Sequence, residues 1–398
     1  MTVSREFNNH PVFPLVLLGG GHSHVLWLKY WQTLDNQHPA KTIRPLLISD
    51  NINSPYSGML PGLLTEEHRY EDCHIDLITL CRISACDFKQ LTCTNIQKVE
   101  HSEFSTLYQL DFLTDENQSE APYSIFCETL SINIGSQPSS TEQTTFSHSV
   151  ARWTPSYWKV KPISQFYNHW QELKTLLNTP VTDTPSIHII GAGAAGVEIA
   201  CAVKLAQSAC RVTLLSRSPQ PLPSFNIKTQ NLCLQRLKKL DIGFIHTDDT
   251  KEQTNPPLSS ADISIYCTQS AAPLWLKETH LSLSDDGFIR VDDHLQSSLP
   301  GVFAAGDCIH FISQPLAKSG VYAVREATTL FHNICAYLSS QPLQTFKPQS
   351  TFLSIINMGN RYALGQRGRW SSSGTALWYY KRFLDRRFMS QFIDTGSE

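Results

Sequence analysis

The strongest constraint in the chain is a motif that occurs twice, an apolar run followed at once by closely spaced glycines: LVLLGGGHSHV from Leu15 and IHIIGAGAAGVEIA from Ile187. Each apolar run, residues 15–18 and 187–190, has the length of a buried parallel strand, and the glycines after it permit a tight turn into a helix. Unpaired N–H groups and the helix dipole favour an anion there, so a pyrophosphate can approach the turn closely. The second copy fills all three places of G-x-G-x-x-G with Gly191, Gly193 and Gly196, and residues 197–203 continue as an apolar helix. The first copy has Gly19, Gly20 and Gly21, then His22 and Ser23, and puts His24 in the third place, where close helix-to-strand packing asks for a small residue. One such turn alone is weak. Two of them followed by FAAGD, residues 303–307, point to a flavin enzyme.

The ends of the second strands refine the ligands. IRPLLIS runs into Asp50, somewhat farther from Gly19 than the roughly 20 residues usual for a ribose-binding carboxylate, and Asp50 is the adenosine-ribose candidate. In the second copy CRVTLL ends in Ser216 and Arg217, with no acid to take the 2′-hydroxyl of NAD. An arginine there suits a 2′-phosphate, or is simply a solvated surface residue.

Composition adds limits. With 398 residues, 41% hydrophobic and 17% charged, the chain can bury more than one core. Its net charge of −3, without a basic tract interleaved with aromatics, gives no reason to expect a nucleic-acid partner. The opening MTVSREFNNHPVFPLVLL lacks a cationic start with a long apolar segment, and no run of about 18 apolar residues follows. A cytoplasmic location is expected, or a peripheral one on the inner membrane surface. Cys81 and Cys86 have CxxxxC spacing but continue the leucine-rich HIDLITL segment, which reads as ordinary thiols rather than a catalytic disulfide. No His/Cys spacing suggests a metal site.

These motifs together resemble the two-dinucleotide-domain flavoproteins of the pyridine nucleotide-disulfide oxidoreductase superfamily, over almost the whole chain. SINIGSQP, with Gly135, and CTQSAAP are similar to the superfamily's two ATG-type strands, departing from them at Asn133, Ile134 and Gln269. LPGVFAAGDCIHF resembles its terminal FAD box, with Gly306 and Asp307. GGGHSHV, SPYSGMLPG, HIDL, VKPI, KSGVYAVRE and GNRYALGQRGRW look like the flavoprotein domain fused ahead of selenide, water dikinase in some proteins. That domain is itself similar to type II NADH dehydrogenases and sulfide:quinone reductases. The dikinase portion is absent from this sequence, so selenide phosphorylation is not expected.

The resemblance implies an α/β fold with two Rossmann-like FAD/NAD(P)-binding domains and a small C-terminal domain. Residues 1–150 and 289–340 would form the FAD domain, 151–288 the NAD(P) domain and 341–398 an interface domain. It implies FAD and NAD(P)H as cofactors and a small-molecule or quinone electron acceptor. FAD would be held by Gly19, Gly20, Gly21, His22, Ser23, Asp50, Gly135, Gly306, Asp307 and Gly320. The nicotinamide cofactor would be held by Gly191, Gly193, Gly196, Ser216 and Arg217, with Glu198 either near the nicotinamide amide or merely a helix-N-terminal acid. Tyr56, Met59, Pro61 and Lys318 are the candidates for a flavin-side pocket. No catalytic side chain is assigned, because flavin carries the redox chemistry. Cys127 and Cys308 are poor matches to the cysteines of sulfide:quinone reductases, and the paired glutamines of type II NADH dehydrogenases fall at Val321 and Arg325. NAD(P)H oxidation with an unidentified acceptor is therefore preferred. A quinone reductase is one alternative, and a non-enzymatic FAD-binding sensor linked to selenium or sulfur metabolism is another. Residues 374–392 read as a helix with Leu377, Tyr380, Leu384 and Phe388 on one face and Arg382 and Arg386 on the other. It fits a membrane interface, packing on the FAD domain or a homodimer contact.

Overall fold

A computed structural model of the chain describes residues 6–8, 10–102, 104, 106–113, 123–138, 148–149, 152–153, 156–178, 184–247, 261–268 and 270–392. Gln269, the polar stretch 251–260 and most of the Ser/Thr-rich segment after Ser136 lie outside them.

The first apolar run becomes strand β1 (His10–Leu18), whose last four residues are buried. It leads through the glycines into α1 (His22–Thr33) and then to β2 (Leu46–Ser49). After the short helices α2 (Leu60–Leu64) and α3 (Leu77–Ile83) come β3 (Asp87–Gln90), β4 (Cys93–Val99), β5 (Leu107–Phe112) and β6 (Tyr123–Ile132). Strands β3, β2, β1 and β6 are parallel neighbours in that order. The first half of β6 pairs on its other edge with antiparallel β5, which pairs with β4. Its last residues, from Leu130, pair instead with a parallel strand that arrives much later in the chain.

A second parallel sheet follows. Strand β7 (Ser156–Lys159) and helix α4 (Ile163–Leu177) precede β8 (Ser186–Ile190), α5 (Ala194–Ala206), β9 (Arg211–Ser216), α6 (Ile227–Lys239), β10 (Gly243–His246) and β11 (Ile263–Tyr266). The strand order is β7, β11, β8, β9, β10, all parallel. Gln137–Pro138 and Ser270–Ala271 pair antiparallel and tie the two halves together. The chain then returns to the first sheet as β12 (Val302–Ala304), the late partner of β6, and enters the long helix α7 (Gly320–Leu338). Helix α7 packs on α1, where Trp27, fully buried, meets Phe331 edge-on and stacks on Trp31. The last unit is an antiparallel sheet, β13 (Ser354–Asn357), β14 (Ala363–Arg367) and β15 (Trp370–Gly374), followed by α8 (Thr375–Met389).

This is an α/β architecture with Rossmann-like parallel sheets. In each sheet the strand order reverses at the strand that carries a glycine turn: β2 and β6 flank β1, and β9 and β11 flank β8. Ligands of open α/β sheets bind in the crevice at such a switch point.

Candidate functional site

The two glycine turns are built alike. Gly19 and Gly191 both have positive φ, +99° and +107°, and their N–H groups donate to the ends of the neighbouring strands, at Ile48 O (2.7 Å) and Leu215 O (2.9 Å). They differ at the third place. A Cβ on Gly196 would lie 1.7 Å from Gly191 O, so only glycine fits there. In the first turn the buried His24 reaches the corresponding carbonyl with its side chain, with Nδ1 2.7 Å from Gly19 O and Nε2 2.8 Å from Ser131 Oγ. Burial lowers its pKa to about 4, so the ring is neutral at physiological pH.

Asn133 explains the second departure. Its side-chain oxygen accepts from the N–H groups of Ser23 (3.0 Å) and His24 (3.3 Å) at the start of α1, and its amide donates to Ala305 O at 2.6 Å. Asn133 thus caps a helix N-terminus and pins the FAAGD strand to it, satisfying buried donors that would otherwise cost about 1–3 kcal/mol each.

Gly19, Gly20, Gly21, His22 and Asp50 line a single cleft of about 710 Å³, together with Gly135, Gly306, Asp307 and Gly320. That size suits a large cofactor. Ser23 is the exception among the candidates from the first fingerprint. It is fully buried, and its hydroxyl donates to Ala323 O in α7, so it locks two helices together and does not line the cleft.

None of Tyr56, Met59, Pro61 and Lys318 lines this cleft. Met59 and Pro61 are buried, with Met59 in the main core, because the SPYSGMLPG turn folds its apolar side chains inward. Lys318 donates to Ile309 O and lies over the Phe288 ring. The Tyr56 hydroxyl donates to Asp385 Oδ1 at 3.1 Å, and its ring stacks on Phe388.

The second set gathers at the C-terminal ends of β8 and β9. Gly191 and Gly196 form the turn, and Gly193 faces open space, with no atom within 4 Å of where a Cβ would stand. Ser216 Oγ accepts from Ser218 N, and Arg217 is exposed. Glu198 reaches the last unit. Its Oε1 accepts from Asn357 N at 2.7 Å, and burial pushes its pKa up to about 7 against the pull of Lys381. Lys381 pairs with Asp385 at 2.9 Å and donates to Gly58 O, so Glu198, Tyr56, Lys381 and Asp385 make a polar junction between both parallel-sheet units and α8.

Two residues in the cleft region escaped the sequence reading. Lys161 forms an ion pair with Asp307 at 3.0 Å, and its signal was the VKPI segment. Glu326, almost fully buried, accepts the Gly306 N–H at 2.5 Å, and burial raises its pKa to about 7; its signal was the end of KSGVYAVRE. Cys81 and Cys86 are neighbours, with the Cys86 thiol raised by its contact with Cys81 and by burial. All eleven cysteines are free, Cys81, Cys86, Cys127 and Cys308 are buried, and burial pushes the Cys308 thiol up to about 12.

Helix α8 buries only part of its surface. Trp378, Asp385 and Met389 face inward, while Tyr379, Tyr380, Phe383 and Leu384 are exposed. Asp385 is buried because Lys381 and Tyr56 both bind it. The exposed Tyr379 and Phe383 share a groove with Arg382, Arg386 and Arg387. Among the described residues, no helix is long and apolar enough to cross a membrane.

Comparison with known proteins agrees with this geometry. Residues 160–328 match the pyridine nucleotide-disulphide oxidoreductase family. The chain is 26% identical over 199 residues to ferroptosis suppressor protein 1 of Xenopus tropicalis, a match covering 45% of this chain and 52% of that protein. The chain thus spans about half the length of that curated relative. Among solved structures, sulfide:quinone oxidoreductase from Aquifex aeolicus shares the fold with a TM-score of 0.69 at 14% identity, covering 96% of this chain and 91% of that one. NDH2 from Plasmodium falciparum in complex with NADH does so with a TM-score of 0.68 at 15% identity, covering 97% and 98%. The paired glycine turns at the switch points of two parallel sheets thus go with a match to the pyridine nucleotide-disulphide oxidoreductase family over residues 160–328 and with a fold shared with NDH2 and sulfide:quinone oxidoreductase.

Proposed function

We propose that the chain is an FAD-dependent oxidoreductase that takes electrons from NAD(P)H through the flavin and passes them to a separate acceptor. The observation that carries this reading is the convergence of the first glycine turn, Asp50, Gly135, Asp307 and the N-terminus of α7 on one cleft, while a second glycine turn stands free at the other sheet. Gly193 supports it independently. Nothing in the chain itself demands glycine there, and its bare backbone leaves room for a bound group.

When bound, the flavin supplies the electron transfer. The chain's own residues orient and stabilise it. Asp307 offers a carboxylate to ribityl hydroxyls, Asp50 one to the adenosine ribose, and the glycine turn offers close backbone approach to the pyrophosphate. The N-terminal end of α7 at Gly320 lies on the cleft, where its dipole favours negative charge on a reduced flavin. The NADH held by the Plasmodium neighbour and the quinone in the name of the Aquifex one agree with a nicotinamide donor and a lipid-soluble or small-molecule acceptor.

Arg217 beside Ser216, with no acid, favours NADPH. In anaerobic mixing, Arg217→Ala should slow or weaken flavin reduction by NADPH about 10- to 100-fold, the cost of one charge-assisted phosphate bond of about 1.5–3 kcal/mol, and leave NADH unaffected. Equal losses with both cofactors, or none, assign Arg217 to the solvated surface.

The exposed aromatic and arginine face of α8 fits peripheral contact with an anionic membrane surface. Intact protein should co-sediment with vesicles containing anionic phospholipid, and the combined variant Tyr379→Ser, Phe383→Ser, Arg386→Glu should not. These side chains point outward, so the variant keeps the buried Trp378 and Met389 face. Wild-type protein that stays in the supernatant assigns this face to another role.

A further inference from the structure

Lys161 belongs to neither glycine turn. It comes from the segment between β7 and α4 that leads into the second sheet, yet its ammonium lies in the first cleft. Nζ donates to Asp307 Oδ2 at 3.0 Å and to Ser136 Oγ at 3.2 Å, and Ser136 Oγ donates to the same carboxylate oxygen at 3.3 Å. The pair is not a surface bridge. Asp307 keeps only 16% of its side-chain surface and Lys161 39%, and both line the cleft.

The charge balance of the cleft gives this contact its meaning. Its lining carboxylates are Asp50 and Asp307, and its lining cationic side chains are Lys159 and Lys161. A flavin dinucleotide brings a doubly negative pyrophosphate, and reduction adds negative charge to the ring. A bare Asp307 carboxylate would repel both in a partly desolvated site. Yet that carboxylate must stay ionised and fixed to accept hydrogen bonds from the cofactor's hydroxyls.

We propose that Lys161 is a cofactor-positioning residue that acts through Asp307, holding its carboxylate against Ser136 and cancelling its charge. The acid then binds hydroxyls without repelling the phosphates or the electrons of the reduced flavin. This rests on the reading that the cleft takes FAD. It also makes the segment entering the second sheet part of the first site, so the two halves share one electrostatic element.

The test is a charge cycle read on the flavin itself. Wild type, Lys161→Met, Lys161→Arg, Asp307→Asn and the double variant Lys161→Met with Asp307→Asn are stripped of flavin, titrated with FAD, and poised against redox dyes. Lys161→Met should raise the FAD dissociation constant about tenfold and lower the midpoint potential, because it exposes an uncompensated carboxylate. Each tenfold preference for the oxidised over the reduced flavin is about 30 mV for two electrons. Lys161→Arg should restore both quantities, which a packing defect would not allow. Asp307→Asn should raise the potential, and the double variant should return it close to the wild-type value.

A Lys161→Met variant with wild-type affinity and potential overturns the proposal. So does a loss of FAD affinity that is equally large in the Asp307→Asn background, because the ammonium would then be contacting the cofactor directly. Wild-type protein that takes up no FAD defeats the reading beneath it. Wild-type uptake with an unaffected Lys161→Met defeats the proposal alone.

Discussion

Gly196→Ala should slow reduction of the flavin by NADH and NADPH about 100-fold while leaving FAD content and chemical reduction by dithionite intact. A Cβ at this position would lie 1.7 Å from Gly191 O and 3.0 Å from Gly191 C, both backbone atoms of the turn. No side chain can swing away to make room. Helix α5 must therefore withdraw from β8, carrying with it the N-terminal N–H groups that would meet a pyrophosphate. A misplacement of about 1 Å at such a contact costs on the order of 100-fold in rate. The first turn lies in a separate sheet and should be untouched. Anaerobic stopped-flow mixing, with dithionite as the control, separates the two effects. A variant reduced by nicotinamide at the wild-type rate removes the second turn from the donor site.

Gly19→Ala should do the complementary damage and cost the protein its flavin. Here two penalties add. The φ of +99° disfavours any side chain, at about 1–3 kcal/mol, and the new Cβ would lie 2.4 Å from Asn133 O and 2.6 Å from Asn133 C. Asn133 cannot retreat cheaply, because its side chain also caps α1 and holds Ala305 O. The expected result is at least a 100-fold weaker grip on FAD with a clear fall in melting temperature. Flavin per chain after gel filtration, with a melting curve of the same sample, measures it. A yellow variant with an unchanged melting temperature would show that the turn tolerates what its backbone forbids.

Much of this was legible in the sequence, for a local reason. Strands buried on both faces read as unbroken apolar runs, and the glycines that end them are forced by the turn, so β1 and β8 and their helices declare themselves within a few residues. Asp50, Gly135, Asp307 and Gly320 followed because motif order already brings those segments toward the first turn. What escaped is long-range. In sequence, His24 and Asn133 read only as departures from a pattern. In the structure they complete each other's site across more than a hundred residues, with His24 on Gly19 O and Asn133 on the N–H of Ser23 and His24.

On α8 periodicity gives the helix but not which side is buried: Asp385 is inward because Lys381 and Tyr56 satisfy it, and Tyr380 and Leu384 are left outside. In the SPYSGMLPG loop, Met59 and Pro61 pack inward, and Ser54, Pro55 and Ser57 are the residues that reach the cleft. Lys161 lay within a recognised segment, but nothing local in VKPI tells that its ammonium lands on Asp307.

The most direct test of an FAD-linked NAD(P)H oxidoreductase is anaerobic titration of the purified wild-type protein with NADPH and NADH while the flavin's visible absorption is followed. One FAD per chain should bleach fully with one equivalent of reduced nicotinamide, faster with NADPH, and recover its colour when an oxidant is admitted. Protein that carries no FAD and takes none up, or a flavin that dithionite reduces and neither nicotinamide does, would contradict it.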